Sequence, residues 1–223
     1  SGVDLNGAPL MPPYNPAMRE YEVCFKCHAD WAPKSPYIPR VIISTNTRLQ
    51  FDMTNPSFHP VATIGRNMNV PSIPSQFAPT LTVMSMIYCS DCHSDDDGSR
   101  GPHGSAYPPI LRDRYDTFDP NPVSESFSTY ALCYRCHNRD NLLSDASFKH
   151  REHVVADRAP CSVCHDAHGI QDNFVTGSHI HLINFDTRSV TPVSPNIFPV
   201  YNGLSRSCTL VCHGKTHDST LTY

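Results

Sequence analysis

Residues 147 to 169 read SFKHREHVVADRAPCSVCHDAHG, and this stretch decides how the chain must be built. In CSVCH, Cys161 and Cys164 are separated by two residues and His165 follows the second of them. That spacing is the attachment signature of a c-type haem: each cysteine can form a thioether with a vinyl group, and the histidine is delivered to one axial face of the iron. Two intervening residues span about one helical turn, so both sulfurs face the same haem edge. His150 and His153 lie three apart in a segment that reads as helical, which places them on one face. Together with His168, they gather imidazoles where second axial ligands are needed.

The signature recurs along the chain. Cys24 and Cys27 precede His28, Cys89 and Cys92 precede His93, Cys133 and Cys136 precede His137, and Cys208 and Cys212 precede His213. All ten cysteines are used in this way. The last motif, CTLVCH, carries one extra residue between its cysteines and is expected to bulge. Zinc sites and disulfides also use paired cysteines. Neither explains why a histidine follows the second cysteine all five times. Five covalently attached c-type haems are the expected cofactors.

Composition points the same way. Hydrophobic residues make up 39% of the 223 residues, and 21 are Pro, against about 45–50% apolar and about 5% Pro in ordinary soluble domains. Such a chain has difficulty burying a conventional core, and five large, mostly apolar porphyrins would supply one. The expected fold is mostly irregular coil with short helices and a few short strands, a multihaem cytochrome organised around a chain of covalently bound haems. It forms one unit over residues 1–223: an N-terminal arm (1–14), haem sites one and two with a long intervening coil and hairpin (15–93), and sites three to five (94–223).

The formal net charge is −4 and no Lys/Arg run is present, so a nucleic-acid partner has no support. No run approaches the roughly 18 apolar residues of a membrane span. No leader is visible, and Ser1 is expected to follow its removal. Covalent haem attachment implies export, to the extracellular space or cell surface, otherwise to the periplasm.

Local patterns predict the connections. Asn15 reads as a cap and Pro16 as the first position of a helix reaching His28. Residues 41–51, VIISTNTRLQF, read as strand, turn and strand about Asn46, a hairpin whose edges could also pair between subunits. Residues 81–88, LTVMSMIY, alternate as a strand. Asp95, Asp96 and Asp97 lack the ligand spacing of a calcium loop and read as a solvated turn. Ser124 caps a helix bearing the third site, and Ser144 or Asp145 caps the next. His179 and His181 share one face of a strand by period two, and a Pro-rich coil, TPVSPNIFP, leads to CTLVCH. GPHG after the second site and DAHG after the fourth look like an internal repeat that gives His103 and His168 equivalent roles.

Subtracting the five motif histidines from thirteen leaves eight: His59, His103, His150, His153, His168, His179, His181 and His217. Every iron can therefore be bis-histidine. The six methionines recur at no fixed offset from the motifs. Bis-histidine ligation avoids the raised potential of a Met ligand and leaves no open position for substrate. Electron transfer is the expected role, and no enzyme activity is expected. A multihaem reductase would need one open haem, and all five motif residues are His.

The elements NPSFHPV, CSDCH with RGPHGS, CYRCH, SFKHREHV with CSVCHDAHG, HLINFD and CTLVCHGKTH resemble those of exported multihaem cytochromes with doubled C-x-x-C-H motifs from metal-reducing bacteria. The His150 and His153 pair is similar to the H-x-x-H of small tetrahaem cytochromes, where the two histidines serve different haems. The resemblance implies proximal ligands at His28, His93, His137, His165 and His213. It implies distal ligands at His59, His103, His153, His168 and His181, with His150 and His217 close behind. Some relatives of this type build extracellular filaments, so the resemblance also implies other copies of the chain as partners, ahead of a soluble periplasmic shuttle. Redox proteins or extracellular electron acceptors complete the expected partners.

Overall fold

Regular structure is short throughout, because Pro interrupts the chain repeatedly and few segments carry a continuous apolar face. The computed structural model describes residues 1–74, 80–95, 103–119, 122–144, 148–171 and 179–220. The N-terminal arm, read as irregular, contains a hairpin: β1 (Gly2–Val3) pairs antiparallel with β2 (Pro9–Leu10). A side chain at Gly2 would place its Cβ 2.6 Å from the Glu22 carbonyl oxygen, so glycine permits the arm to lie against the first helix.

That helix, α1 (Glu20–His28), begins later than Asn15 and Pro16 suggest. Glu22 sets the start: its Oε2 accepts from the backbone nitrogens of Met18 at 2.7 Å and Arg19 at 2.8 Å, satisfying donors that a helix start leaves open. Residues 41–51 form no hairpin. Bends lead into α2 (Thr47–Gln50), where Asn46 Oδ1 accepts from the Arg48 nitrogen at 3.0 Å. The cap chemistry of Asn46 overrides the β-branched pattern before it. After β3 (Ser57–Phe58), residues 81–88 run as turns and extended coil rather than a strand. There the Thr82 nitrogen donates to Ser85 Oγ at 2.9 Å. They deliver the chain to α3 (Cys89–Cys92).

The third site lies on one turn, α4 (Ala131–Tyr134), not on a long helix. Its N-cap is Tyr130, without a side-chain cap, and neither Ser124 nor Ser126 fills that role; Ser126 Oγ instead closes the preceding turn by accepting from the Thr129 nitrogen at 3.1 Å. Next, α5 (Arg139–Leu142) is capped by Asn138. Asp145, like Asp96, Asp97, Gly101, Pro102 and Tyr223, lies outside the described residues. Downstream, Arg151–Ala156 is a π-helical turn, followed by α6 (Cys161–Cys164) and β4 (Gly169–Ile170). β4 pairs antiparallel with β3, Phe58 opposite Gly169.

The segment with His179 and His181 is not a strand. It is a tight turn over Ile180–Leu182 in which His179, His181 and Leu182 have φ of 59°, 58° and 61°. Left-handed backbone costs such residues about 1–2 kcal/mol each. Ser57 braces it, its Oγ donating to the His179 carbonyl at 2.6 Å and accepting from the Leu182 nitrogen at 2.9 Å. The Pro-rich stretch is bounded by β5 (Val190–Thr191) and β6 (Val200–Asn202), and both pair with β7 (Ser207–Cys212). β7 then turns back into β8 (Lys215–His217).

Apolar burial is divided among three small clusters. Val3, Tyr21, Phe25, Ala29, Phe51, Phe58 and Val61 form one. Ala159, Val163, Phe185, Val190, Tyr201 and Leu210 form another, and Tyr130, Tyr134 and Val154 the third. Motif cysteines edge all three: Cys89 the first, Cys164, Cys208 and Cys212 the second, and Cys161 the third. No helix among the described residues is long and apolar enough to cross a membrane.

Candidate functional site

Four motifs adopt the same local geometry. Cys24, Cys27 and His28 lie within α1. In the next three, the histidine nitrogen donates to the carbonyl of the first cysteine: His93 to Cys89 at 2.8 Å, His137 to Cys133 at 2.9 Å and His165 to Cys161 at 2.9 Å. That bond closes one helical turn, so two sulfurs and one imidazole leave the same turn. CTLVCH differs. Instead of a bulged helix it is the extended strand β7, where four residues advance the chain about 13 Å. Cys208 and Cys212 still share one face of it by the period of two.

The structure brings the histidines together in twos. His28 and His103 have ring centroids 6.2 Å apart, His93 and His168 5.9 Å, His59 and His137 6.4 Å, His150 and His165 6.3 Å, and His153 and His217 6.2 Å. This separation has a chemical meaning. A metal–imidazole bond of about 2 Å, with about 1 Å more from each nitrogen to its ring centre, puts two trans ligands roughly 6 Å apart. Ring planes differ by 15° for His28 with His103 and 22° for His150 with His165, but by 54° and 59° for the His93 and His137 pairs.

The second ring nitrogen is held in most of these rings. Nδ1 of His93 is bonded to the Ile110 carbonyl at 3.1 Å, that of His137 to Ser72 Oγ at 2.7 Å, and that of His165 to the His181 carbonyl at 2.9 Å. His168 Nδ1 meets Gln50 Oε1 at 2.7 Å, His153 Nδ1 the Lys149 carbonyl at 2.7 Å, and His59 Nδ1 the Ala167 carbonyl. Fixing Nδ1–H on an acceptor selects the tautomer whose Nε2 lone pair can bind a metal, the usual arrangement around ligating histidines. Burial disfavours the protonated ring at three of these positions: His165 is pushed down to about 3, and His137 and His168 to about 4. Burial also lowers His28, His59 and His217.

Consecutive motifs abut. Cys24 and Cys89 share a hydrogen bond, which together with burial pushes the Cys89 thiol up. Burial and then Cys136 push Cys92 up to about 11. Burial, then Cys161 and Cys92, raise Cys133. Burial, then Cys208 and Cys212, raise Cys164. The motifs thus follow one another in space in their order along the chain.

None of the ten cysteines is joined in a disulfide. Among the described residues, one group of three metal-type donors converges, Glu20 with Cys24 and Cys89. Its carboxylate already accepts from Ser90, from the nitrogen at 2.8 Å and from Oγ at 2.9 Å. This group mixes two motifs and includes neither motif histidine, unlike a zinc site built from them. The hydrogen bond with Cys89 lowers Cys24, whereas the Cys89 thiol is raised, and burial raises those of Cys92, Cys133, Cys136, Cys161, Cys164, Cys208 and Cys212, which argues against reactive thiolates at these positions. The residues present fit haem better. Four helical cysteine pairs, histidine pairs 5.9–6.4 Å apart, locked Nδ1 atoms and apolar Val23, Tyr88 and Val155, exposed beside the motifs and paired histidines, would suit that group.

Of the sequence candidates, His59, His103, His150 and His168 each face a motif histidine, and His153 faces His217. His181 meets the motif histidine His165 through its carbonyl and not through a ring pair among the described residues; its own Nδ1 meets Asn67 Nδ2 at 3.0 Å. His179 is buried, with Nδ1 on the Ile183 carbonyl at 2.8 Å. His213 turns its Nε2 to Asp119 Oδ1 at 2.9 Å. His150, just before the π-helical turn, and His153, within it, face different partners, His165 and His217.

Sequence reasoning did not find Gln50, Ser72, Asp119 or Arg40. Arg40 is buried and its guanidinium donates to the carbonyls of Ser162 at 2.5 Å, Asn184 at 2.7 Å and His165 at 2.8 Å. No local signal marks such residues, whose partners lie 65 or more positions away. No known protein family matches this chain, and neither a curated protein nor a solved structure matches it.

Proposed function

We propose that the chain is an electron-transfer protein, a pentahaem c-type cytochrome with bis-histidine ligation. The five histidine pairs at 5.9–6.4 Å carry this reading, because so uniform a spacing suits two ligands on opposite faces of one iron. Each haem, when bound, supplies a one-electron couple. The chain's own residues fix the rings by bonding Nδ1 of His59, His137, His165 and His168, and hold the motifs in series. Each pair would supply both ligands to its iron, which supports electron transfer over a reductase with an open site.

Covalent attachment places the protein outside the cytoplasm, at the cell surface, in the extracellular space or in the periplasm. All five pairs form within one chain, so a subunit needs no ligand from a neighbour. Copies joined end to end would extend the series into a filament, the form implied by the sequence resemblance, and discrete copies would act as a diffusing shuttle. Redox proteins or extracellular acceptors are the partners in both cases. Electron microscopy of the native protein separates the two: regular fibres mean a polymeric conductor, and small discrete particles a carrier. A stoichiometric high-spin haem in the ferric protein would overturn the bis-histidine reading itself.

A further inference from the structure

Nδ1 of His59, His93, His153 and His165 rests on backbone carbonyls. His168 is held by a side chain instead. Its Nδ1 lies 2.7 Å from Oε1 of Gln50, the buried last residue of α2. A primary amide has a donor end and an acceptor end, so this contact alone does not say which of them faces the ring. The other end decides. Gln50 Nε2 donates to the Ser44 carbonyl at 3.3 Å, and a flipped amide would set its oxygen against that carbonyl oxygen, acceptor against acceptor. Oε1 therefore accepts from Nδ1–H of His168, and the lone pair of the ring is on Nε2.

Gln50 is itself locked from behind. Buried Asn55 donates from Nδ2 to the carbonyls of Leu49 at 2.8 Å and Gln50 at 2.9 Å, fixing the end of α2. Phe51, next in the chain, packs on the His168 ring with centroids 5.2 Å apart. On the other side, the His168 carbonyl accepts from the His59 nitrogen at 2.9 Å, continuing the β3–β4 ladder by one pair. The ladder holds the backbone of His168 and Phe51 packs on its ring; of these contacts, Gln50 is the one that takes the Nδ1 proton.

Donation from Nδ1–H makes the opposite ring nitrogen a stronger base. A more basic axial ligand favours ferric iron over ferrous and so lowers the potential, and hydrogen bonding behind a ligand is one of the levers a protein has on a haem. We infer that Gln50 is a positioning residue for the second site: it fixes the tautomer of His168 and holds down the potential of the haem between His93 and His168. This rests on the haem reading above, at a motif whose Cys89 and Cys92 share the single turn α3.

The test is a potentiometric titration of the holoprotein followed by absorbance, with ferric spin state read by electron paramagnetic resonance. Gln50→Met keeps the length of the side chain and removes both ends of the amide. It is expected to leave every haem low-spin and to move one component of the titration upward. Gln50→Glu restores an acceptor: ionised, it draws the Nδ1 proton more strongly, and protonated, it donates to Ser44 as the amide does. That component is then expected at or below its natural position. A merely structural role would move both variants the same way. An unchanged titration in Gln50→Met, or the same upward shift in both variants, overturns the inference while leaving the haem reading intact. Should Gln50→Met fail to fold or lose a ligand, an experimental density map of the unaltered holoprotein decides. Gln50 within hydrogen-bond distance of Nδ1 on the ring bound to the second iron supports the assignment, and a water or a backbone carbonyl in that place overturns it. A natural protein devoid of haem overturns both this inference and the reading beneath it, before any variant is made.

Discussion

Arg40 and His165 are 125 positions apart in sequence, yet the Arg40 guanidinium donates to the His165 carbonyl at 2.8 Å. The same side chain donates to the Ser162 and Asn184 carbonyls and lies 3.8 Å from the Asp166 carboxylate. One buried cation thus fixes the backbone on both sides of Cys164 and so orients the fourth motif. Replacing it with Met leaves three buried carbonyls without their donor. Arg40→Met is expected to lower stability by about 3–5 kcal/mol, read as a lower thermal midpoint of the holoprotein.

The ring pairs give a spectroscopic prediction. Ala at His59, His103, His150 or His168 removes one ligand from one iron, so each variant is expected to convert about a fifth of the low-spin ferric signal to high-spin. Ala at His181 is expected to leave the signal whole, because its ring is engaged by Asn67. Electron paramagnetic resonance of the five variants checks both statements.

Gly169 separates two close backbones beside His168. A Cβ there would meet the Gln50 carbonyl oxygen and lie 2.7 Å from Phe58 Cβ. Gln50 also holds His168 Nδ1. Gly169→Ala is therefore expected to lower stability by about 1–3 kcal/mol and to disturb the haem proposed between His93 and His168, seen as a shifted or high-spin signal from one site.

Acid sensitivity has one identifiable source near the first site. The Arg48 guanidinium, on the Asp30 carboxylate at 2.6 Å, holds Asp30 down from 3.8 to about 2. A carboxylate with a lowered folded pKa contributes its stability above its unfolded value and loses it as pH falls through the folded one. The advantage of the natural protein over Asp30→Asn is expected to be full above about pH 4 and gone below about pH 2. Acid unfolding of the two proteins in parallel measures it.

These residues also show what a sequence can display. The cysteines and their following histidines are legible because each set lies within six positions of sequence, whatever the surrounding fold. The short helices and scarce apolar clusters follow from Pro content in the same way. Ring partners are not local: His59 meets His137 and His93 meets His168 only after long segments have been laid across one another. The strands expected at 41–51 and around His179 failed because single polar side chains, Asn46 and Ser57, bond the backbone and override an alternating pattern. The β7–β8 hairpin departs from the bulge expected of CTLVCH, which is extended strand instead. The His213–Gly214 pair at its tip, a two-residue turn signal ending in Gly, was the clue available.

Intact mass of the denatured protein, purified from the cell that makes it, tests the central claim most directly, since thioether-bound haem survives unfolding. A mass exceeding that of the polypeptide by five haems is the expected result. A mass equal to the polypeptide alone, with the cysteines free, bridged or recovered with zinc, would contradict it.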